Sequence, residues 1–460
     1  MAATITPTQG ARQSRTTEPR LPPGPRMPAI AQTLVWAFAP TWLMDRCAQR
    51  LGDAFTVTFA PSGLQFVLIS DPDAVKALFT APGDVAPSAT RYSPLAPIVG
   101  RSSVLVLTGP EHMRQRKLLL PPFHGERMRE YEDVIVDATR HDMATWPIGR
   151  PMQLHPRTRA ITLEVILRAV LGVDGRMGPL RSTIADLLEP AKSFALVRFA
   201  LRRSPGQLPP GAIARTLVRV DELLYQEIAR RRQQSDLDER TDILSLLLGA
   251  RDEDGQAMTD GELRDELITL LLAGHETTAT SVAWAIERLV RHPHKLARLT
   301  AEIDDGDGEE YLTAVVNETL RVRPVVPLVV RMLQQDLQLG TRMIPAGTRV
   351  AASIYLTNRN PGVYDEPDEF RPERFLDGAG GGEINTFSWI PFGGGIRRCI
   401  GAAFAQLEMK LILRTVLSEL QPALPEHERR WRRGEYNRRR AVTLVPAAGA
   451  RVVWRRRSRE

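Results

Sequence analysis

Apolar residues alternate with other types over positions 54–59 and again over 64–69, with Pro61, Ser62 and Gly63 between them, so the early part of the chain predicts a β-hairpin. A helical pattern begins at 74–79, and a loop rich in Pro, Ser and Ala follows at 82–97. From 118 to 299 most segments carry helical spacing, broken at Pro121 and Pro122, near Pro151 and Pro156, and at 204–210. The clearest helix spans about 260–290. Thr259 and Glu262 are spaced as a capping box at its start, and Pro293 stands just beyond its end. Thirty helical residues would reach ~45 Å, enough to cross a domain. Strand patterns return over 337–354, and two last strands are expected at 441–445 and 450–454, joined by 446–449. The pattern reads as a mainly α fold with a small β region (α+β).

Composition sharpens this picture. Hydrophobic residues make up 43% of the 460, ample for a core and unlike a fibrous or disordered chain. Length alone would allow about three domains, but the residues suited to chemistry are scattered from 112 to 401 and would have to meet in one site. A single domain over 21–455 is therefore expected, after a disordered leader at 1–20 and before a basic tail at 456–460. Two cysteines, Cys47 and Cys399, cannot build a disulfide framework and point to a reducing, cytoplasmic compartment. No run reaches the ~20 apolar residues of a membrane span; the best, 34–39, ends at Pro40, and residues 1–20 lack the apolar core of a signal peptide. The net charge of +7 is uneven, because 421–460 holds 12 Arg against 4 acidic residues. No nucleic-acid motif accompanies these arginines, so they read as a solvated, loosely ordered terminus.

Cys399 carries the strongest chemical signal. It is surrounded by Gly393, Gly394, Gly395 and Gly401, with Arg397 and Arg398 beside it and a helical run from 402 to 409 after it. Glycines let backbone N–H groups approach a sulfur, and cations and a helix N-terminus favour its thiolate. Such a cysteine could be a nucleophile, a metal ligand or a buried structural residue; no base lies nearby in sequence for the first role. In the middle of the long helix stand Ala273, Gly274, His275, Glu276, Thr277 and Thr278. Glycine costs about 1 kcal/mol relative to alanine there and threonine can bond back to a carbonyl, so the segment is either a site or a helix-packing notch. His275 and Glu276 begin the zinc pattern H-E-x-x-H, but position 279 is Ala, which excludes it. Glu318 and Arg321, three apart, can pair, with Arg374 downstream in Pro372, Glu373, Arg374, Phe375. His112 and Arg116, four apart, offer two donors from one helix face.

Phe392 seven before the cysteine, Gly395 four before, Arg397 two before and Gly401 two after resemble the cysteine loop of cytochrome P-450, the haem-thiolate monooxygenases. The other motifs follow in the family's order over about 20–455. The resemblance implies the cytochrome P-450 fold, with haem b (iron protoporphyrin IX) between a long oxygen-activation helix and the cysteine-loop helix. Cys399 would ligate the iron, with Phe392 and Gly401 beside it. Ala273 and Gly274 would leave room over the iron, Thr277 would serve oxygen activation and Glu276 would relay protons. His112, Arg116, Arg331 and Arg397 would hold the haem propionates. Glu318, Arg321 and Arg374 would form a buried network locking the cysteine loop.

The implied reaction inserts one oxygen atom of O2 into a hydrophobic small molecule, a fatty acid, terpenoid or polyketide. Residues 92–99, 194–201, 270–278 and 325–329 match substrate-facing regions of the family and are mostly apolar. No G-x-G-x-x-G follows a strand, so electrons are expected from a separate ferredoxin or flavodoxin with its reductase, docking at Arg114, Lys117 and Arg398. A proline-rich hinge at 21–26 without an anchor before it suggests the soluble bacterial type. A peroxide-driven peroxygenase and a non-catalytic haem sensor are the rival functions, the former disfavoured by Glu276 with Thr277. One departure from the family is a short acidic connection at 304–310.

Overall fold

Two helices, α1 (Ala29–Phe38), which follows Pro28, and α2 (Pro40–Leu51), whose first residue is proline, lead into strands β1 (Ala54–Phe59) and β2 (Leu64–Ile69). The computed structural model describes residues 18–88, 96–172, 178–187, 211–306, 308–376, 384–428, 434–440 and 442–457. β1 and β2 pair antiparallel from Ala54 opposite Ile69 to Phe59 opposite Leu64, with Gly63 of the turn at φ +67°. β2 then pairs parallel with Arg349–Ala352, whose other edge takes Val329–Met332 antiparallel. This sheet carries Arg331 into the centre of the molecule.

Alternation along these strands sets two apolar faces. Val67, Ile69, Val350 and Ala352 pack against Val75, Leu78 and Phe79 of α3 (Pro72–Thr80), which is capped by Asp71 accepting from the Ala74 amide at 2.9 Å. Phe55, Val57, Leu68 and Ala351 pack against Leu43, Met44 and Cys47 of α2. Burial pushes the Cys47 thiol up to about 11, which makes it an inert core residue.

The long helix spans Asp260–Arg291. Its capping box is complete: the Glu262 amide donates to Thr259 Oγ1 at 3.2 Å and the Thr259 amide to Glu262 Oε2 at 2.8 Å. Residues 278–290 are buried, because the helices His155–Leu171, Glu310–Val322 and Ala402–Glu419 all pack on this one rod. Thr158 and Thr162 donate to the carbonyls of Ala279 and His275 at 2.9 Å each, which draws His155–Leu171 tightly onto it.

The C-terminal strands differ from expectation in their partners. Thr443–Pro446 pairs with Asn437–Arg440, while Arg451–Arg456 joins a separate three-stranded sheet between Pro151–Gln153 and Leu420–Ala423. Alternation marks a strand but says nothing about which distant edge receives it. The arginines here are also not a loose terminus. Val452 and Trp454 alternate with them and are buried, Trp454 lying 5.1 Å from Trp146, and Arg457 donates to Asp304 at 2.9 Å. The acidic connection has a use as well, since Glu309 receives Lys410 at 2.5 Å and also Arg414, both from the helix Ala402–Glu419.

Glu318 and Arg321 are fully buried and doubly bonded, at 2.6 and 2.8 Å. Arg321 spends its remaining donors on the carbonyls of Asn358, Pro367 and Glu369, and Glu318 also accepts from the Arg371 amide at 2.7 Å. Arg374 stands 3.6 Å from Glu318 and donates to the Glu366 carbonyl. Removing one member of such a pair strands the other charge in the core, typically at a cost of 3–5 kcal/mol. Glu318→Ala is therefore expected to lower the unfolding free energy by about 3–5 kcal/mol in chemical denaturation. A loss below about 1 kcal/mol would show that the pair does not hold the fold.

Candidate functional site

The cysteine loop is shaped by what its glycines permit. The Cys399 amide donates to the Phe392 carbonyl at 3.0 Å and the Arg398 amide to the Gly395 carbonyl at 3.0 Å, folding the loop back on itself. Gly393 and Gly395 sit at φ +67° and +64°, where a side chain would be strained. A Cβ on Gly394 would also run into the Phe79 ring, and one on Gly395 into the Phe79 carbonyl, so glycine lets α3 lie directly against the loop. Phe392 packs edge-on to Trp389 at 6.1 Å. Gly401 caps the helix Ala402–Glu419, and its amide donates to the Cys399 sulfur.

Cys399 combines two properties that rarely coincide. Protein atoms enclose it densely, so desolvation pushes its thiol up, opposed by the Gly401 amide and the charges of Arg116 and Arg398. Yet its side chain remains accessible to water. A residue enclosed but accessible lines an internal space. Ala273 shows the same signature, exposed in the middle of the long helix, with Thr277 half-buried one turn on. The long helix and the cysteine-loop helix are joined beyond that space by a hydrogen bond between Thr278 and Glu408.

Four cationic or donor side chains from three separate elements converge beside Cys399. His112 and Arg116 come from the helix Gly109–Leu119, Arg331 from the sheet and Arg397 from the cysteine loop. Burial lowers His112 to about 4, helped by the charges of Arg397, Arg116 and Arg331. Burial likewise lowers Arg331 and Arg397 to about 10, with Arg331 and Arg116 adding to the shift at Arg397. Arg397 is held by the Val104 carbonyl at 2.9 Å and by the Leu107 carbonyl, and Arg331 lies 5.7 Å from the Phe79 ring centroid. No carboxylate contributes to any of these shifts. Mutually repelling buried cations make a cradle for an anionic group.

Glu276 and Thr277, adjacent in sequence, face different surroundings. Glu276 is ion-paired with Arg159 at 2.9 Å and Arg440 at 3.5 Å, and lies 3.6 Å from His155, which burial and the nearby arginines lower to about 3. Burial nevertheless raises its carboxyl above the usual range, against the pull of Arg440 and Arg159. Thr277 donates to the Ala273 carbonyl at 2.7 Å.

Two expectations change. Gly274 does not open the space near Cys399: a Cβ there would stand 3.0 Å from Ile166 Cδ1, so this glycine is a notch for the helix His155–Leu171, as is the adjacent His275, whose ring faces Thr162 at 3.3 Å. Among the expected docking charges, Arg114 is bound by Asp252 at 2.5 Å and Glu262 at 2.6 Å, and Lys117 by Glu253 at 2.6 Å. Arg398 alone of the three is exposed with no ion pair among the described residues. Of the substrate-facing stretches, 194–201 and part of 92–99 lie outside the described residues.

Sequence spacing missed two acids. Glu266 is fully buried, pushed up to about 8 by desolvation, and accepts from the Val104 amide at 2.8 Å. Since the Val104 carbonyl takes Arg397, the loop at 102–107 straps the long helix to the cysteine loop. Glu408 is the other, buried and raised to about 8 by desolvation. Glu408 stands in a mostly apolar helical run, which was the available signal, whereas Glu266 follows Arg264 and Asp265 and carried none.

The cytochrome P-450 family model matches residues 22–446. A Mycobacterium tuberculosis protein named cytochrome P-450 137 is 42% identical over 415 residues, covering 90% of this chain and 85% of that protein. Cytochrome P-450 135B1 of Mycobacterium bovis is 38% identical over 448 residues, covering 95% and 92%. Among solved structures, retinoic acid-bound cyanobacterial CYP120A1 superposes with a TM-score of 0.82 at 25% identity, over 96% of this chain and 100% of that one. The haem domain of cytochrome P-450DA shares the fold, with a TM-score of 0.81 at 23% identity over 95% and 98%. The chain belongs to the cytochrome P-450 family; it is a haem-thiolate monooxygenase whose cofactor is haem b. The site fits that group: an accessible sulfur with an amide donor, and a cation cradle with no carboxylate paired to it among the described residues.

Glu408 yields a pH test. Its folded pKa of about 8 lies above the ordinary carboxyl value of about 4.5. Ionisation of the unfolded chain therefore draws stability down as pH rises from about 4.5 to about 8, by up to about 1.4 kcal/mol per pH unit. Glu408→Gln cannot ionise and should gain stability relative to the parent across that window. Denaturation curves that stay parallel from pH 5 to 8 would contradict the burial of a neutral acid here.

Proposed function

We propose that this cytochrome P-450 oxygenates a hydrophobic small molecule, of the fatty acid, terpenoid or polyketide classes, with electrons from a separate ferredoxin or flavodoxin and its reductase in a reducing cytoplasm. The observation that carries the reading is the enclosed yet accessible Cys399, receiving the Gly401 amide and facing a carboxylate-free cation cradle. The retinoic acid named with CYP120A1, an apolar molecule with one polar end, is consistent with a hydrophobic substrate here.

Haem held by thiolate supplies O2 activation, because the electron-rich sulfur favours O–O cleavage. The chain's own residues then have distinct tasks. Cys399 would ligate the iron; desolvation pushes its thiol up, and the Gly401 amide and the charges of Arg116 and Arg398 partly offset that in favour of the thiolate. His112, Arg116, Arg331 and Arg397 would hold the propionates. Ala273 leaves the opposite face open. Thr277 can turn its hydroxyl from the Ala273 carbonyl to hold a water. Glu276, neighbouring Thr277 but about 100° round the helix, passes protons to it through water, and its raised pKa suits a group that must both take and release them. Arg159 and Arg440 keep its carboxylate on the outer side between transfers.

Turnover with surrogate redox partners tests the reading. NADH consumption should be coupled to a product carrying one added oxygen. Product formed only with added peroxide would replace the reading with a peroxygenase, and spectral binding without product would replace it with a sensor. Thr277→Ala should keep haem and substrate binding while coupling falls about tenfold and peroxide appears instead. Unchanged coupling would remove Thr277 from the proton path.

A further inference from the structure

Ile30, Leu34, Phe38 and Trp42 are among ten large apolar residues left exposed on the described surface, at 64%, 55%, 78% and 53%. Four of ten within thirteen positions is a concentration that scattered surface residues do not produce. Ile30, Leu34 and Phe38 are four apart on α1, so they form one ridge. α1 contains no charged residue at all.

The opposite side of α1 fixes its orientation. Gln32 accepts from the Thr58 amide at 2.8 Å and donates to the Met27 carbonyl at 3.0 Å, and Thr33 accepts from the Ala60 amide at 2.8 Å. Trp36 packs edge-on to Phe59 at 5.5 Å. α1 therefore cannot roll to bury its ridge without breaking these bonds.

Exposed arginines flank the ridge. Arg26 stands one turn before Ile30, and Arg46 and Arg50 continue at four-residue spacing from Trp42 along α2; all three are exposed. The strand Asn437–Arg440, which packs on α1, adds exposed Arg438, with Tyr436 74% exposed just before it. Between positions 26 and 50 the only acid is Asp45, turned inward onto the Tyr355 hydroxyl at 3.0 Å.

We propose that α1, α2 and the strand beside them dock the enzyme on the surface of an anionic lipid bilayer. The ridge would sink to the boundary between headgroups and acyl chains, with Trp42 and Tyr436 at that level and the arginines on lipid phosphates. No helix among the described residues is long and apolar enough to cross a membrane, so the contact is lateral. Other occupants fit less well. Residues 1–17 offer only Met1 and Ile5 as large apolar side chains, too few to cover this ridge. A second copy, placed face to face, would bring the bordering arginines against their own counterparts. An acidic protein would need pockets matched to each projecting side chain, whereas lipid accepts them without a matching shape.

The test uses the haem-loaded full-length enzyme and sedimenting vesicles of phosphatidylcholine, with and without phosphatidylglycerol. The enzyme should sediment with the anionic vesicles and bind them about tenfold less tightly when salt rises from about 0.1 to about 1 M. The triple variant Leu34→Ser, Phe38→Ser, Trp42→Ser should lose about tenfold or more in binding while its haem spectrum and melting temperature stay unchanged. Arg46→Glu with Arg50→Glu should weaken binding to anionic vesicles. No sedimentation with either vesicle, equal binding by the triple variant, or a self-association that this variant abolishes in place of vesicle binding would overturn the proposal.

Discussion

A single buried ion pair sets the position of the reactive sulfur. Glu318 and Arg321 bond each other and close on the backbone at Asn358, Pro367, Glu369 and Arg371. From that anchored stretch, the Asn358 side chain accepts from the Ile390 amide at 3.1 Å and the Tyr364 hydroxyl donates to the Ser388 carbonyl at 3.1 Å. Cys399 follows within eleven residues of Ser388. A buried pair of this kind is weak evidence for net stability, because desolvation cancels much of its attraction. Its consequence here is geometric: few arrangements satisfy so many carbonyls at once, which fixes the stretch 358–371 against which Ser388 and Ile390 are bonded.

The rest of the site is built against the loop so positioned. Phe79 touches it at two points, its ring and carbonyl lying where Gly394 and Gly395 lack side chains, and its ring also lies beneath Arg331 of the sheet. The loop at 102–107 reaches the long helix through Glu266 and the cysteine loop through Arg397. Sheet, α3, long helix and cysteine loop are thereby joined around one space. The three arginines there repel one another when considered alone and, with burial, hold His112 neutral, and a bound dianion would remove that repulsion, so cofactor binding and the stability of this region are linked.

The hairpin, the capped long helix and the motif order around Cys399 were legible because each is local: alternation, capping spacing and glycine placement are written in consecutive residues. Arg331 and Arg397 could be placed beside His112 only through the family resemblance, since three elements far apart in sequence carry them. What was illegible depended on direction or partner. Gly274 and Ala273 look equivalent as a small pair, yet one points at Ile166 and the other at open space. Arg114 and Lys117 look like free charges until Asp252, Glu253 and Glu262 fold against them. The arginines after 421 suggested a loose end by count, whereas the interleaved Val452 and Trp454 made a buried strand.

Reduction of the purified enzyme under carbon monoxide tests the central claim, that Cys399 presents a thiolate to haem iron in this cradle. The account predicts the red-shifted absorption band of a thiolate-ligated ferrous complex, abolished by Cys399→Ser. A protein that binds no haem, or a band that is unshifted or survives Cys399→Ser, would contradict it.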